Sequence, residues 1–138
     1  MTLDGFIKLL HKEVDYDKYK SCANITPGAC DCPSCCSEQY FNGNNPTYDC
    51  DQKRKIYVLR YLPVHIYENY QGALIIPEMM KKTLFSKDIV KVLSLGGGPG
   101  SDIAGLKRFI DTLSNEEYQS SKFKIVRLDK EDGWSDVS

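Results

Sequence analysis

The stretch KVLSLGGGPGSDIAGLKRFI, residues 91–110, largely determines how the C-terminal half of this chain folds. The run IVKVLSL is short, rich in branched apolar residues and stopped by glycines, as a buried strand would be. The run DIAGLKRFIDTL follows, and its apolar residues repeat at helical spacing. These apolar positions are Ile103, Leu106, Ile110 and Leu113. The stretch therefore predicts a strand, a tight glycine loop and a helix.

A second apolar run, FKIVRL, comes after a polar connection and ends at Asp129. A strand, a glycine loop, a helix and a second strand in this order are typical of a right-handed parallel unit. We therefore expect an α/β fold with a partial Rossmann-like unit. Helices and a cysteine-rich loop module are expected to precede it.

The loop glycines indicate a ligand that approaches the backbone closely. Gly96, Gly98 and Gly100 fall at alternate positions, where the missing Cβ atoms allow a sharp turn. A Walker-type phosphate loop would need Lys followed by Ser or Thr after the last glycine, but Ser101 and Asp102 stand there. The third glycine of the dinucleotide fingerprint is also missing. Phosphate binding is therefore disfavoured.

From residue 91 to 129 the sequence resembles the class I S-adenosylmethionine-dependent methyltransferases. The resemblance implies a Rossmann-like methyltransferase fold, S-adenosylmethionine as the small-molecule cofactor, and methyl transfer as the activity. It also implies that Gly96, Gly98 and Gly100 pack against the methionine part of the cofactor. Asp129 stands where the family has the acidic residue that receives the ribose hydroxyls.

The sequence departs from the family pattern in two ways. The family commonly has an acidic residue two positions before the first glycine, where this chain has Ser94. We expect Asp102, just beyond the loop, to replace that charge and to receive the cofactor's ammonium group. The chain also ends soon after the second strand, so we expect either a methyltransferase or only its cofactor-binding N-terminal half. Neither the methyl acceptor nor a catalytic residue is identifiable.

A sheet of two parallel strands would leave an apolar edge on residues 90–95. Such an edge favours pairing with another chain, so self-association is expected.

An alternative function is a non-catalytic, zinc-containing protein-interaction module derived from a methyltransferase.

Six cysteines lie between residues 22 and 50, in a stretch rich in turn-forming residues. Cys32 and Cys35 have the C-x-x-C spacing that lets two sulfurs bind one tetrahedral zinc ion. Cys36 is left out, because adjacent cysteines can hardly both bind one ion without strain. The candidate ligands are Cys22, Cys30, Cys32, Cys35 and Cys50. Buried thiols or disulfides are the alternatives, whereas a redox role is disfavoured because the C-x-x-C is expected in a loop.

The residues before the first strand predict helices. One apolar stripe begins near Thr2 or Asp4, either of which is a suitable N-cap. The stripe consists of Leu3, Phe6, Ile7, Leu10 and Val14. A second helical run begins near Lys53, and we expect Pro63 to interrupt it. The expected modules are residues 1–52, with the first helix and the cysteines, and residues 53–138, with the helical lead-in and the parallel unit.

Composition narrows the partners. The 138 residues suit one ordinary core, and a formal net charge of −1 at pH 7 gives no strong attraction to nucleic acid. No targeting signal is recognisable, and no run approaches the roughly 20 apolar residues of a membrane-spanning helix. We therefore expect an intracellular protein, cytoplasmic or nuclear, without a membrane partner. Nucleic acid is an unlikely partner.

Overall fold

The computed structural model describes residues 2–18, 28–41, 47–113 and 122–137. Over these residues the fold is mixed α/β, with several helices and a two-stranded parallel sheet. The elements are α1 (Leu3–Glu13), α2 (Cys32–Phe41), α3 (Asp51–Leu74), α4 (Glu78–Phe85), β1 (Ile89–Leu95), α5 (Ser101–Ile110), β2 (Lys122–Leu128) and a terminal 3-10 helix (Asp132–Val137). No helix of the described part is long and apolar enough to cross a membrane.

The chain forms two compact units. The first consists of Met1–Leu62 and Glu131–Ser138, and the second of Pro63–Lys130. Their boundary falls inside α3, and the last residues of the chain belong to the first unit. The expected division into residues 1–52 and 53–138 concerns modules along the sequence and stays a prediction.

The second unit contains the predicted strand, loop, helix and strand. β1 and β2 pair in parallel, from Ile89 opposite Lys122 to Leu95 opposite Leu128. The mixed α/β character and the parallel pairing are confirmed. Within the described residues each strand pairs only with the other, so β1 keeps one unpaired edge.

One face of the sheet packs on a small apolar core. Phe109 of α5 is its most buried member, next to Ala73 of α3. Val90 of β1 and Phe123 of β2 pack against this pair from the sheet. Phe109 lies outside the apolar stripe expected for this helix, although Leu106, Ile110 and Leu113 of that stripe also join the core.

α5 lies very close to α3. A Cβ atom on Gly105 would stand 2.6 Å from the Asn69 Cβ, 2.8 Å from the Ile66 carbonyl oxygen and 3.0 Å from the Tyr70 nitrogen. Two of these three contacts are backbone atoms, which cannot rotate away. A glycine is therefore required for the two helices to approach as they do.

The expected interruption at Pro63 is wrong, because α3 runs through it as one helix. Proline removes one backbone hydrogen bond from a helix and crowds the preceding turn. Leu62 and Ile66 on either side are both buried, and tertiary packing of this kind outweighs a local propensity.

The expected loop structure of the cysteine-rich stretch is wrong for residues 32–41, which form α2. Asp31 precedes the helix, and its Oδ1 accepts the Ser34 N–H at 2.6 Å. The Ser34 Oγ in return accepts the N–H groups of Asp31 and Cys30, both at 3.0 Å. This reciprocal pair is a capping box, and Pro33 in the first turn costs no helical hydrogen bond. The turn-forming residues therefore start a helix.

The first unit has its own core. Thr2 caps α1 as predicted, since its Oγ1 accepts the Gly5 N–H at 3.2 Å. One apolar cluster gathers residues from α2, α3 and the end of the α1 region, namely Val14, Cys32, Cys36 and Ile56. Trp134 is 3% exposed, and its ring centroid lies 4.8 Å from Tyr48 and 5.4 Å from Tyr57. The only tryptophan of the chain is thus part of the first unit's interior.

Candidate functional site

The glycine loop, residues 96–100, bends as its sequence predicts. Gly96, Gly98 and Gly100 have φ angles of 61°, 50° and 89°, all in the left-handed region that side chains disfavour. Gly100 is the N-cap of α5 and offers no side-chain cap to the helix. The N-cap residue of α5 therefore provides no side-chain hydrogen bond to the first N–H groups of the helix.

Asp129 reaches this loop from the end of β2. Its Oδ2 accepts the Gly98 N–H at 2.8 Å. The contact follows from the parallel topology, because the carboxyl ends of parallel strands lie at the same edge of a sheet. The Gly96 N–H donates to the Leu128 carbonyl oxygen at 2.7 Å and extends the pairing into the loop. Two sequence-predicted groups, the glycines and the acidic residue, are thus brought together.

Arg127 is a second β2 residue on the loop, and sequence reasoning missed it. Its Nη1 donates to the Gly98 carbonyl oxygen at 3.0 Å. Arg127 and Asp129 therefore hold both polar backbone groups of Gly98. A signal existed, because residues two apart on a strand point to the same side. The Arg127 side chain also fills part of the space beside the loop, with its Cγ 3.2 Å from where a Gly97 Cβ would stand.

Ser94 and Asp102 also lie close to Gly97, on the side where its Cβ atom would stand. A Cβ atom on Gly97 would clash with the Ser94 Oγ and would stand 3.4 Å from the Asp102 Oδ1. Ser94 is 3% exposed, and neither oxygen has a hydrogen-bond partner. Leaving a buried polar atom unsatisfied costs about 1–3 kcal/mol. Each oxygen can accept a hydrogen bond from a donor such as an ammonium group or water.

The charged side chains at the loop are mainly acidic. Asp102 and Asp129 supply two carboxylates and Arg127 supplies one guanidinium, which leaves one negative charge in excess.

The predicted zinc ligands are only partly covered by the structure. Cys22 lies outside the described residues. Cys30 is exposed, Cys32 and Cys35 are buried, and Cys50 is half-buried. Within the described ranges no three His, Cys, Asp or Glu side chains are arranged to hold a metal ion. Zinc binding stays a prediction.

Cys36 behaves as a buried thiol. Burial raises its pKa to about 11, with smaller opposing effects from Arg60 and Lys53. Cys35 and Cys50 make small contributions to this increase. The ground for disfavouring a redox role was wrong, since Cys32 opens a helix rather than lying in a loop. Burial of Cys32 and Cys35 now disfavours that role instead, because reactive cysteines are accessible.

All six predicted cofactor residues lie on the loop or beside it. The glycines form the bend, Asp129 bonds to it, and Ser94 and Asp102 lie beside Gly97. Comparison of the chain with protein-family models, curated proteins and solved structures finds no match in any of the three. A functional assignment therefore depends on the geometry of the loop and on the resemblance of its sequence.

Proposed function

We propose that β1, the glycine loop, α5 and β2 bind S-adenosylmethionine, and that the chain is the cofactor-binding part of a methyltransferase whose methyl acceptor is unknown. One observation carries this proposal: the carboxylate of Asp129, which directly follows β2, accepts the N–H of Gly98 in the glycine loop. The family resemblance assigns these two features to one ligand, and in the fold they lie side by side.

The ribose end of the cofactor fits the carboxylate. A carboxylate has about four acceptor positions, so a bond from Gly98 leaves capacity for two vicinal hydroxyl groups. The negative charge makes such bonds stronger than neutral ones. Asp129 would therefore both hold the loop and receive the ribose.

The amino-acid end fits the groups around Gly97. Its ammonium group would donate to the unsatisfied oxygens of Ser94 and Asp102. Its carboxylate would find a cation in Arg127, which lies against the same loop. The excess negative charge at the loop also matches the positive charge of the sulfonium.

The bound cofactor supplies a methyl group on a sulfonium centre. The residues of this chain would bind and orient that group, and orientation alone can lower a barrier by roughly 7–11 kcal/mol. No described residue is assigned as a general base. The residues around the loop are proposed as binding residues only.

Isothermal titration calorimetry with S-adenosylmethionine and S-adenosylhomocysteine tests the proposal, with ATP and NAD as competing ligands. We expect both adenosyl ligands to bind, and we expect ATP and NAD not to bind. Asp129→Asn should weaken binding by about tenfold or more, since it removes a charge-assisted bond. Asp88→Asn, an exposed acid before β1, is the matched control and should change nothing. If neither adenosyl ligand binds, the non-catalytic interaction module would be favoured instead.

Tryptophan fluorescence is unsuited to this test. Trp134 follows Asp129 closely in sequence, but its ring is enclosed by Tyr48 and Tyr57. Its emission therefore reports the packing of the first unit.

We also propose that the cysteine-rich region binds zinc through ligands drawn from Cys22, Cys30, Cys32, Cys35 and Cys50. The C-x-x-C pair in the first turn of α2 supports this, because both thiols lie on one short turn and are shielded from water. Metal analysis of protein purified without chelators should find about one zinc ion per chain. Two results together would contradict zinc binding: no zinc in the protein as purified, and no change in its melting temperature when a chelator is added.

Self-association through the unpaired edge of β1 is a further proposal. Unpaired strand edges offer backbone N–H and C=O groups to a second chain. Sedimentation velocity at increasing concentration tests it. A single monomeric species at all concentrations would rule it out.

A further inference from the structure

The side of the sheet opposite α5 is open to solvent. Alternate residues of each strand point to this side, which we call the outer sheet face. It consists of Ile89, Lys91, Leu93 and Leu95 of β1 and Lys122, Lys124, Val126 and Leu128 of β2. All eight are exposed.

The outer sheet face has an apolar end next to the glycine loop. Leu93 lies opposite Val126, and Leu95 lies opposite Leu128. These four side chains are between 45 and 71% exposed. Parallel sheets are almost always covered on both faces, because helices pack on each side. An open aliphatic block on a parallel pair therefore indicates a surface that binds another element.

The other end of the face is basic. Lys91 lies directly opposite Lys124, and Lys122 is two residues before Lys124 on the same strand. Like charges directly opposite each other destabilise a sheet. None of the three lysines forms an ion pair with another residue of the described ranges. An acidic group placed over them would remove this repulsion.

We propose that the outer sheet face binds an amphipathic helix with an acidic C-terminal end, supplied by another polypeptide. The apolar stripe of the helix would cover Leu93, Leu95, Val126 and Leu128. Its acidic end would lie over the three lysines, where the negative end of the helix dipole adds to the attraction. The helix would run antiparallel to the strands, as helices do in parallel α/β units. This proposal is independent of cofactor binding.

Charge favours this occupant over a second copy of the chain. Two copies joined through this face would place the lysines of one against the lysines or the leucines of the other. Either arrangement buries ammonium groups without a partner, which is strongly unfavourable.

Synthetic peptides test the proposal with the full 138-residue chain. A helix of about 15 residues spans a seven-residue strand such as β1. Three labelled peptides of this length are compared by fluorescence anisotropy: one with a leucine stripe and glutamates in its last turn, one with lysines in place of the glutamates, and one scrambled. We expect the acidic peptide to bind about tenfold more tightly than the basic one, and more weakly as salt rises.

Variants locate the binding. Leu93→Asp with Val126→Asp should abolish binding of the acidic peptide, and Lys91→Glu with Lys124→Glu should reverse the charge preference. Lys12→Glu with Lys82→Glu makes the same change in net charge on exposed helix residues outside the sheet and should leave binding unchanged. Circular dichroism checks folding. If the aspartate variant unfolds, Lys91→Ala with Lys124→Ala is used, and about a tenfold loss is expected.

Three results would overturn the proposal. Equal binding of the acidic, basic and scrambled peptides would show that the face has no such specificity. Tighter binding to vesicles of phosphatidylserine and phosphatidylcholine than to the acidic peptide would indicate a membrane surface. A dimer that the Leu93→Asp and Val126→Asp variant abolishes, and that the acidic peptide cannot displace, would show that a second copy covers the face.

Discussion

The glycine loop before α5 and the cysteine segment before α2 both carry turn-forming residues into a helix, but they satisfy the helix start differently. At α2 the side chains of Asp31 and Ser34 bond reciprocally to the backbone. At α5 the N-cap is Gly100, which offers no side chain. The difference supports the proposed ligand site at the start of α5. The start of α2 is complete by itself, whereas Ser94 and Asp102 beside α5 keep unsatisfied oxygens.

The largest expected effect concerns the packing that holds α5 in place. Gly105→Ala puts a Cβ atom within 3.0 Å of the Ile66 and Tyr70 backbone atoms, so α3 and α5 must separate. We expect a loss of roughly 1–3 kcal/mol in the free energy of unfolding. Gly72→Ala in α3 is the control, because a Cβ atom there meets nothing within 4 Å. It should stabilise by about 0.5–1 kcal/mol through helix propensity.

Urea unfolding followed by circular dichroism measures both glycine variants. Hydrogen exchange of α5 amides then shows whether the loss is local to the second unit. Equal stability changes for the two variants would contradict the close approach of the helices.

The next comparison is between two serines, whose replacement by alanine should change stability in opposite directions. Ser34→Ala removes the hydroxyl that accepts the N–H groups of Asp31 and Cys30, and it keeps the backbone bond from residue 34 to Asp31. It should destabilise the first unit by about 1 kcal/mol. Ser94→Ala removes a buried hydroxyl that has no partner, so it should be neutral or stabilising by up to about 1 kcal/mol. Trp134 fluorescence follows the first unit, and thermal circular dichroism follows the whole chain.

The Ser94→Ala variant also separates stability from binding. It should weaken the titration with S-adenosylhomocysteine while leaving the fold intact. A destabilised variant with unchanged affinity would mean that the hydroxyl serves the fold rather than a ligand.

The smallest expected effect is on pH dependence. The Ser34 N–H, and then its hydroxyl, hold the pKa of Asp31 below its usual value. The ionised form therefore favours folding, and its contribution is full above about pH 4 and lost as the pH falls through the lower folded-state pKa. Asp31→Asn keeps the cap without the charge. Below pH 4 the variant should lose less stability than the wild type, by a few tenths of a kcal/mol. The free energy of unfolding is measured against pH for both proteins, and an equal loss below pH 4 would contradict the role of Asp31.

Sequence patterns predicted the second unit better than the first. Branched residues stopped by glycines predicted β1, and alternate glycines predicted the sharp bend of the loop. These features depend on a residue's own backbone preferences, so the sequence carries them locally. The parallel pairing followed from the order of the elements.

Other features depended on pairs of residues or on packing. Asp31 and Ser34 individually favour turns, and only together do they start a helix. Pro63 favours a break, but the buried side chains around it keep α3 continuous. Arg127 lies on β2 two residues before Asp129, which follows the strand, and its contact with the loop required knowing the face of the strand. Ser94 and Asp102 were expected beside the cofactor, but the partnerless state of their oxygens was visible only in the fold.

The most direct test of the account is a ¹H–¹⁵N NMR titration of the chain with S-adenosylhomocysteine. Because Asp129 and the glycines are proposed to hold one ligand, the amide signals of Gly96, Gly98 and Gly100 should shift together and saturate with the same affinity. In Asp129→Asn the same signals should shift only at much higher ligand concentration. Unchanged loop amides at millimolar ligand, or shifts confined to residues outside 89–129, would contradict the proposed cofactor site.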